Sequence, residues 1–448
     1  MLTPDQARTA VQSLVEQARK AGADTADSVY VGGRSQSVQV RMAALEDVSS
    51  SEGEEVGLRV FRGRRSASVA SSTLAPDALA ALVERALAMA AEAPEDEFAG
   101  LAPADRLLRD APADLDIYDP TEVDPAALKA RALEAEAAAL AVPRVSNSSG
   151  ASASVSSSVM ALATSGGFAA ASRGSGHSVS ASVVAGEAGA LQRDYDYDST
   201  RFLADLDDAA TIGRSAGQRA AARLDPVKLQ SGRMAVLFDP RVATSLLGHF
   251  AGAISGSSIA RKASFLMDRL GTRIFAPGVT IRDDPHRQRG LRSRAFDGEG
   301  LATSARDLID DGILTSWLAD SAAARQLGID PTGHAVRGAS GAPGAGPSNL
   351  FLAAGSRSPE EMRAAVPRAI LITELIGMGV NGVTGDYSRG AAGFVIEHGE
   401  IVGPVAEITI ASNLIEMFAT LEPASDLTLR RGIDSPTILI PEMMVAAG

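Results

Sequence analysis

Residues 373–410 read TELIGMGVNGVTGDYSRGAAGFVIEHGEIVGPVAEITI, and this stretch is the most informative part of the 448-residue chain. Eight glycines fall between Gly377 and Gly403, where they alternate with short β-branched and aromatic runs. Glycine this dense weakens strands and loses more conformational entropy on folding than any other residue. A chain tolerates it where backbone must pass close to another group, so we expect a functional surface in this segment.

A literal G-x-G-x-x-G pattern lies in this stretch, from Gly377 to Gly382. In a dinucleotide-binding fold that pattern opens a helix whose N-terminus meets the pyrophosphate. Residues 383–393 are themselves rich in glycine and do not favour a helix. The pattern is therefore interpreted as a loop, and no nucleotide cofactor is predicted.

Composition excludes several classes of function. The net charge of −13 argues against a nucleic-acid or anionic-membrane partner. The chain contains no cysteine, which excludes disulfides, a thiolate nucleophile and thiolate metal ligands. We find no signal-peptide pattern and no apolar run near the ~18 residues that a membrane helix needs. A cytoplasmic protein is expected.

Apolar periodicity and helix-capping signals predict an α+β fold. Thr3, Pro4 and Gln6 form a capping box with proline at the first helical position, and further helices are expected near residues 76–91, 125–140, 206–224 and 242–254. We predict an N-terminal α/β half with helices packed on strands, and a C-terminal mostly-β half with one buried helix. The predicted domains are residues 1–110, an N-terminal α/β domain; 111–228, a central domain with a Ser-rich β-meander; and 229–448, a C-terminal mostly-β domain.

The Ser-rich segment, residues 147–186, has the composition of a flexible linker. Apolar residues punctuate its serines at near-alternating spacing, and Ser165-Gly166-Gly167 suits a hairpin turn. A meander with small outward side chains is therefore favoured.

Three aspartates, Asp194, Asp196 and Asp198, alternate with tyrosines in the segment that follows. On a strand their carboxylates share one face, which is compatible with a cation site. A solvated edge strand is favoured, because no glycine or distal glutamate of the EF-hand type follows.

The five histidines lie far apart in sequence, so neither H-x-H nor H-E-x-x-H occurs. A G-x-S-x-G nucleophile elbow is also missing, and Ser388 has no histidine paired with it in local sequence. His249 lies on the predicted helix 242–254, away from its apolar stripe and among small residues. Those neighbours fit either a pocket or a histidine satisfied by packing, and both interpretations remain open.

Several long motifs resemble the TldD/PmbA family, and within it the TldE (PmbA) branch. They cover essentially the whole chain, and the C-terminal ones are the most specific: LLGHFAGAISG at 246–256, FDGEG at 296–300, TGHA at 332–335, GPSNL at 346–350 and GVTGDYSRGAAGF at 382–394.

The resemblance implies a division of labour. TldD members of the family resemble zinc peptidases, with a His-Glu-x-x-x-His helix and a later cysteine ligand, and pair with TldE members to cleave unfolded or leader-type peptides. In this chain the corresponding helix places Gly248 and Ala253 where the histidine ligands would be, and His249 where the glutamate would be. The resemblance therefore implies no metal ligand and no catalytic residue here, with zinc expected in a TldD-type partner.

Our hypothesis is that the chain is the non-catalytic, pseudo-enzyme subunit of such a dimer, shaping the cavity and presenting glycine-rich backbone for strand addition to a peptide. Arg389 is expected either to contact the peptide or partner, or to form a surface ion pair with Asp386 or Glu397. One alternative is a self-associating peptide-binding or scaffold protein without proteolysis, and another is a peptidase that works through an unrecognised site. The candidate substrate- or partner-binding residues are Gly379, Asn381, Thr384, Gly385, Asp386, Ser388, Arg389 and His249.

Overall fold

The computed structural model describes residues 1–187 and 189–447. The helices in this part of the chain are α1 Pro4–Lys20, α2 Pro76–Glu92, α3 Pro125–Leu140, α4 Ala209–Ala222, α5 Pro240–Ala253, α6 Gly256–Ala260, α7 Ser321–Leu327, α8 Pro359–Ala364 and α9 Leu414–Thr420, with a 3-10 turn at Leu203–Asp205. None of these described helices combines the length and apolarity needed to cross a membrane.

The strands of the N-terminal half are β1 Thr25–Arg41, β2 Ala44–Arg62, β3 Arg65–Ser71, β4 Val145–Thr164, β5 Ala169–Ala185 and β6 Gln192–Thr200. Those of the C-terminal half are β7 Gly232–Phe238, β8 Ile281–Asp283, β9 Arg306–Asp310, β10 Ile313–Leu314, β11 Ala335–Val336, β12 Gly344–Ala345, β13 Leu350–Leu352, β14 Arg368–Ile376, β15 Asp386–Glu397, β16 Glu400–Asn413, β17 Glu422–Pro423, β18 Ile433–Asp434 and β19 Ile438–Ala447. The predicted α+β class is confirmed.

The helix starts follow the local signals in the sequence. Thr3 accepts a hydrogen bond from the Gln6 amide, and the Gln6 side chain accepts one from the Thr3 amide, which completes the predicted capping box of α1. Asp124 and Asp239 cap α3 and α5 through their side chains alone, which accept hydrogen bonds from the amides of Ala127 and Arg241. A proline follows each of them at the first helical position.

The N-terminal half is built on one antiparallel sheet in the order β3-β2-β1-β4-β5-β6. It takes strands from both sides of residue 110, so the two predicted N-terminal domains share one sheet. The Ser-rich meander is confirmed as the β4–β5 hairpin, which turns at the predicted position between Thr164 and Ala169. The helices cover one face of the sheet, with α1 and α2 packed at one end and α3 and α4 at the other.

Strand β6 is the edge of this sheet, as predicted, but its carboxylates are not solvated. Asp194 is buried and lies 2.8 Å from Arg241 Nη1 and 3.3 Å from Arg223 Nη1. The prediction of a solvated strand is therefore wrong, because the edge is covered by α4 and the start of α5. The guanidinium groups of Arg241 and Arg223 balance the Asp194 charge.

The C-terminal half contains a closed barrel. Strands β16, β15, β14, β7 and β19 pair in that order, and a further β16–β19 pairing closes the ring. The main core of this half contains inward residues of the barrel strands together with α5. The predicted stripe of Val242, Leu246, Phe250 and Ile254 is buried there, so the expectation of a buried helix is confirmed.

A buried ionic cluster joins the two halves. The Asp27 carboxylate of β1 lies 3.0 Å from Nε of Arg59 on β2. It also lies 2.5 Å from Nη1 of Arg337, the residue that follows β11. Burial alone would raise the pKa of Asp27, but the charges of Arg59 and Arg337 outweigh it and lower that pKa. The C-terminal half is therefore held against the sheet by paired charges as well as by apolar contacts.

Candidate functional site

The glycine-rich stretch begins with an exposed loop, residues 377–385, between β14 and β15. Gly377 and Gly385 have φ values of 77° and 82°, which favour glycine. A Cβ at Gly379 would lie 1.9 Å from the carbonyl oxygen of Ser388, whose N–H donates to the Gly379 carbonyl at 2.7 Å. The group that the backbone of Gly379 approaches closely is therefore the Ser388 backbone of the same chain, and not a ligand.

The polar residues of the loop mainly bind one another. Asn381 Oδ1 accepts hydrogen bonds from the amides of Val383 at 2.9 Å and Thr384 at 3.3 Å. The Asp386 carboxylate accepts from Thr384 Oγ1 at 2.6 Å and from Asn413 Nδ2 at 3.2 Å, and these bonds lower its pKa. Three of the predicted binding residues, Asn381, Thr384 and Asp386, thus hold the loop in shape.

Strand β15 offers no free edge to a peptide. Residues 386–397 pair with β16 on one side, and residues 390–397 of this strand pair with β14 on the other. The prediction of strand addition along this backbone is therefore wrong for β15, because barrel closure uses its hydrogen-bonding groups. Any peptide or partner must meet the loop, or the side chains beside it.

The loop and its start expose apolar side chains. Ile376, Met378 and Val383 are 55%, 85% and 57% exposed. Met378 also lines a shallow surface concavity with residues 379–382 and 386–388. These three exposed side chains lie within eight residues of chain, which makes the loop a candidate contact surface.

His249 lies on α5 beside the start of β15. Its ring meets the ring of Tyr387 edge-on, and its Nε2 is buried without a hydrogen-bond partner in the described chain. Burial and the nearby charge of Arg389 lower the pKa of His249, so the imidazole is favoured in its neutral form. On the same helical face, Gly248 and Gly252 are exposed, and a Cβ at either would meet no atom within 4 Å.

Arg389 points to the core-facing side of β15, two residues after Tyr387. It is only 9% exposed, and its Nε donates to the Ile376 carbonyl at 3.4 Å. The surface ion pair predicted for it does not form: Asp386 binds Thr384 and Asn413, and Glu397 lies 3.7 Å from Arg368.

The donor atoms around His249 do not suit a metal ion. Within residues 1–187 and 189–447, no group of three or more histidine and acidic side chains is placed to hold one. Gly248 carries no donor side chain and Ala253 only a methyl group, while the charge nearest to His249 is a guanidinium. A Zn²⁺ site needs three or four nitrogen, oxygen or sulfur ligands, and these residues supply one.

The structure therefore divides the predicted site residues into two groups. Gly379, Asn381, Thr384, Gly385, Asp386 and Ser388 shape the loop and the first residues of β15. His249 and Arg389 both lie next to Tyr387, one by ring contact and the other on the same face of β15. Sequence reasoning did not single out Tyr387. The alternation of Tyr387 with Ser388 and Arg389 was the available signal, because it places Tyr387 and Arg389 on one face of a strand.

Further concavities lie between the halves of the molecule. One, of about 470 Å³, is lined by Met160 and Arg173 of the N-terminal sheet and by Phe296 and Asp297. Another, of about 560 Å³, has many charged residues in its lining, including Asp196. Neither includes a residue predicted from the sequence to bind substrate.

Comparison with protein families gives three matches that together cover most of the chain. Domain 1, the central domain and the C-terminal domain of PmbA/TldA metallopeptidases match residues 26–90, 118–224 and 231–447. The chain is 40% identical over 412 residues to Metalloprotease PmbA of Escherichia coli O157:H7, covering 92% of this chain and 89% of that protein. It is 37% identical over 443 residues to the Metalloprotease PmbA homolog of Haemophilus influenzae, covering 98% and 96%.

Solved structures share the architecture. A protein from Bacteroides thetaiotaomicron, described as a candidate modulator of DNA gyrase, superposes with a TM-score of 0.92 at 26% identity and covers 100% of both chains. TldE from Thermococcus kodakarensis superposes with a TM-score of 0.86 at 22% identity, covering 98% of this chain and 100% of its own. The second likeness concerns the fold alone.

Proposed function

The chain belongs to the PmbA/TldD metallopeptidase family, and on that basis we propose that it is the TldE-type subunit of a two-subunit peptidase complex. In this proposal the complex works in the cytoplasm on unfolded or leader-type peptides. A TldD-type partner supplies the zinc ion and the general base, and this chain supplies part of the cavity and a docking surface.

The donor set of α5 supports a non-catalytic role. A zinc peptidase needs ligands that hold the metal and a carboxylate that activates its bound water. The helix provides one imidazole, with glycine on either side of it at positions 248 and 252. Because these residues do not fit zinc, no step of peptide cleavage is assigned to this chain.

The observation that carries the proposal is the uncovered glycine face of α5. Glycine inside a helix is about 1 kcal/mol less favourable than alanine. Gly248 and Gly252 have no internal neighbour that an alanine methyl would strike. Two unfavourable residues without an internal packing reason are explained if another chain approaches the helix at this face.

The exposed apolar loop extends the same surface. Tyr387 lines the concavity that includes Met378, and its ring also contacts His249, which neighbours Gly248 on α5. The loop therefore lies on the Tyr387 side of the His249–Tyr387 ring contact, and Gly248 and Gly252 of α5 lie on the His249 side. Obligate interfaces commonly bury roughly 2,000 Å² or more, so residues well beyond these would take part.

The test is to co-express the chain with a TldD-type protein that carries the full metal motif. Each subunit and their mixture would then be assayed on an unfolded peptide, with and without a chelator. We expect a stable complex and chelator-sensitive cleavage that needs both subunits. A chain that forms only self-associated oligomers and leaves the partner's activity unchanged would contradict the proposal.

A matched pair of variants locates the surface. Gly252→Trp places a large side chain on the open face of α5 and should prevent complex formation. Glu360→Trp places the same side chain on α8. Met362 packs this helix against the outer face of the barrel wall, opposite to the face that α5 covers. This variant should leave the complex intact. Equal behaviour of the two variants would remove the α5 face from the interface.

A further inference from the structure

Arg389 is a buried cation whose charge is not balanced by a neighbouring carboxylate in the described chain. Its side chain is among the buried charged residues, at 9% exposure, and its only side-chain hydrogen bond there goes to the Ile376 carbonyl. Buried charges are ordinarily paired, because removing them from water is unfavourable. The two nearest candidates in sequence, Asp386 and Glu397, bind other residues.

Two polar groups on the residues next to Arg389 lack partners among the described residues. The Tyr387 hydroxyl and His249 Nε2 are both buried and make no hydrogen bond. Tyr387 shares the core-facing side of β15 with Arg389, and its ring contacts the imidazole of His249. Arg389 and Tyr387 thus share one face of a strand, Tyr387 contacts His249 of the helix, and the Arg389 charge acts on both rings.

The charge states of the three groups favour an anion. Burial raises the pKa of Tyr387 well above its usual value, so the hydroxyl keeps its proton. Burial and Arg389 lower the pKa of His249, so a neutral imidazole with one N–H is expected at neutral pH. The cluster then presents a guanidinium and two neutral donors, which suits an acceptor-only ligand.

Access to the cluster is possible along α5. His249 shares a helical face with Ser245, Gly248 and Gly252, and the two glycines are exposed with open space where a Cβ would be. Because glycine has no side chain, Gly248 and Gly252 do not cover the imidazole of His249, and a ligand can approach it over them.

We propose that Arg389, His249 and Tyr387 form a binding site for the carboxylate of a peptide. A single planar guanidinium with two neutral donors matches a monoanionic carboxylate, whereas phosphate sites gather several cations or helix N-terminal amides. The N-terminus of α5, at Asp239, lies at the other end of the helix. Assigning the carboxylate to a peptide rests on the proposed peptidase-complex function, but binding itself is a property of this chain.

The test uses the chain alone, so that failure to form a complex cannot affect it. The five histidines would be labelled with ¹³C, and the His249 signal identified by its loss in His249→Phe. The probes are sodium acetate, tetra-alanine with a free C-terminus and tetra-alanine amide. Acetate and the free acid should shift the His249 signal and raise the pKa of His249, because a bound carboxylate offsets the Arg389 charge, while the amide should have no effect.

Variants separate the site from general anion binding. Arg389→Gln should weaken binding of the free acid at least about tenfold, because a charge-assisted hydrogen bond is lost. Arg233→Gln removes an exposed guanidinium paired with Glu442 in the same half and should change nothing. If Arg389→Gln fails to fold, Tyr387→Phe keeps the ring and removes only the hydroxyl, and it should weaken binding several-fold.

Three results would overturn the proposal. They are an equal response to the acid and the amide, binding of the acid that survives both Arg389→Gln and Tyr387→Phe, and a response to acetate with none to the peptide acid. Loss of complex formation with normal binding of the free acid would instead count against the proposed partner role alone.

Discussion

The imidazole of His249 meets the ring of Tyr387 edge-on, with 6.2 Å between centroids and 80° between planes. This contact connects α5 to the first residues of the glycine-rich strand β15. It places the exposed loop, the open glycine face of α5 and the buried Arg389 around one point. The candidate site is therefore a surface with a buried cationic centre beneath it.

Gly248→Ala and Gly252→Ala should each stabilise the isolated chain. Alanine is the better helix former, and its methyl group would meet no atom within 4 Å, so we expect about 0.5–1 kcal/mol more free energy of unfolding for each. Denaturant unfolding of the chain without a partner measures this. A loss of stability would show that the glycines serve the internal fold, which would remove the main reason for an interface there.

Gly379→Ala should destabilise the chain and Gly382→Ala should not. A Cβ at position 379 overlaps the Ser388 carbonyl oxygen at 1.9 Å, so the loop must move away from β15, whereas position 382 is open. Thermal unfolding of the two variants gives the comparison. Similar melting temperatures for both would mean that the loop adjusts freely and that the close approach has no structural importance.

Lowering the pH below about 6.5 should reduce the contribution of His249 to stability. Its pKa is lowered in the folded state, so the unfolded chain binds its proton first, and the stability present above the unfolded pKa is lost as the pH falls through the folded one. Unfolding of the wild type and of His249→Gln would be compared from pH 7.5 to 5.5. The difference between the two should shrink with falling pH, and a constant difference would exclude a buried neutral His249. Burial also lowers the pKa of His177. Because His177 is present in both proteins, its effect on stability cancels when the two are subtracted.

Asp27→Asn should destabilise the chain by about 3–5 kcal/mol, because it leaves Arg59 and Arg337 buried without their shared carboxylate. Glu442→Gln breaks the exposed pair with Arg233 and should change stability by less than about 1 kcal/mol. The pKa of Asp27 is lower in the folded than in the unfolded chain. Its contribution to the free energy of unfolding is therefore present above the unfolded-state pKa, near 3.9, and is lost as the pH falls through the folded-state pKa. Chemical unfolding at neutral pH distinguishes the two variants, and equal effects would show that the Asp27 cluster does not hold the halves together.

Local signals in the sequence predicted much of the fold. The capping box at Thr3, prolines 4, 76 and 125 at first helical positions, and the alternation of apolar residues with serine in residues 147–186 each act within a few residues of chain. The start of α5 was predicted two residues late, because Asp239 and Pro240 were not used as its start signal. Such patterns determine helices and hairpins, so they were readable without an alignment.

The remaining features depend on contacts between distant residues. Parallel pairing of β7 with β14 and closure of the barrel through β16 and β19 have no signature in either strand alone. The same holds for the Asp27–Arg337 pair, which joins residues far apart in the sequence, and for the burial of Arg389. Asp386 and Glu397 lie near Arg389 in sequence and could have formed ion pairs with it. In the barrel, Arg389 instead faces the core side of β15.

The most direct measurement of the central claim is the zinc content and peptidase activity of the purified chain without a partner. We predict no stoichiometric zinc by elemental analysis and no cleavage of an unfolded peptide, because α5 supplies a single imidazole beside a guanidinium and the chain has no cysteine. One tightly held zinc ion per chain, or chelator-sensitive cleavage by the chain alone, would contradict the account.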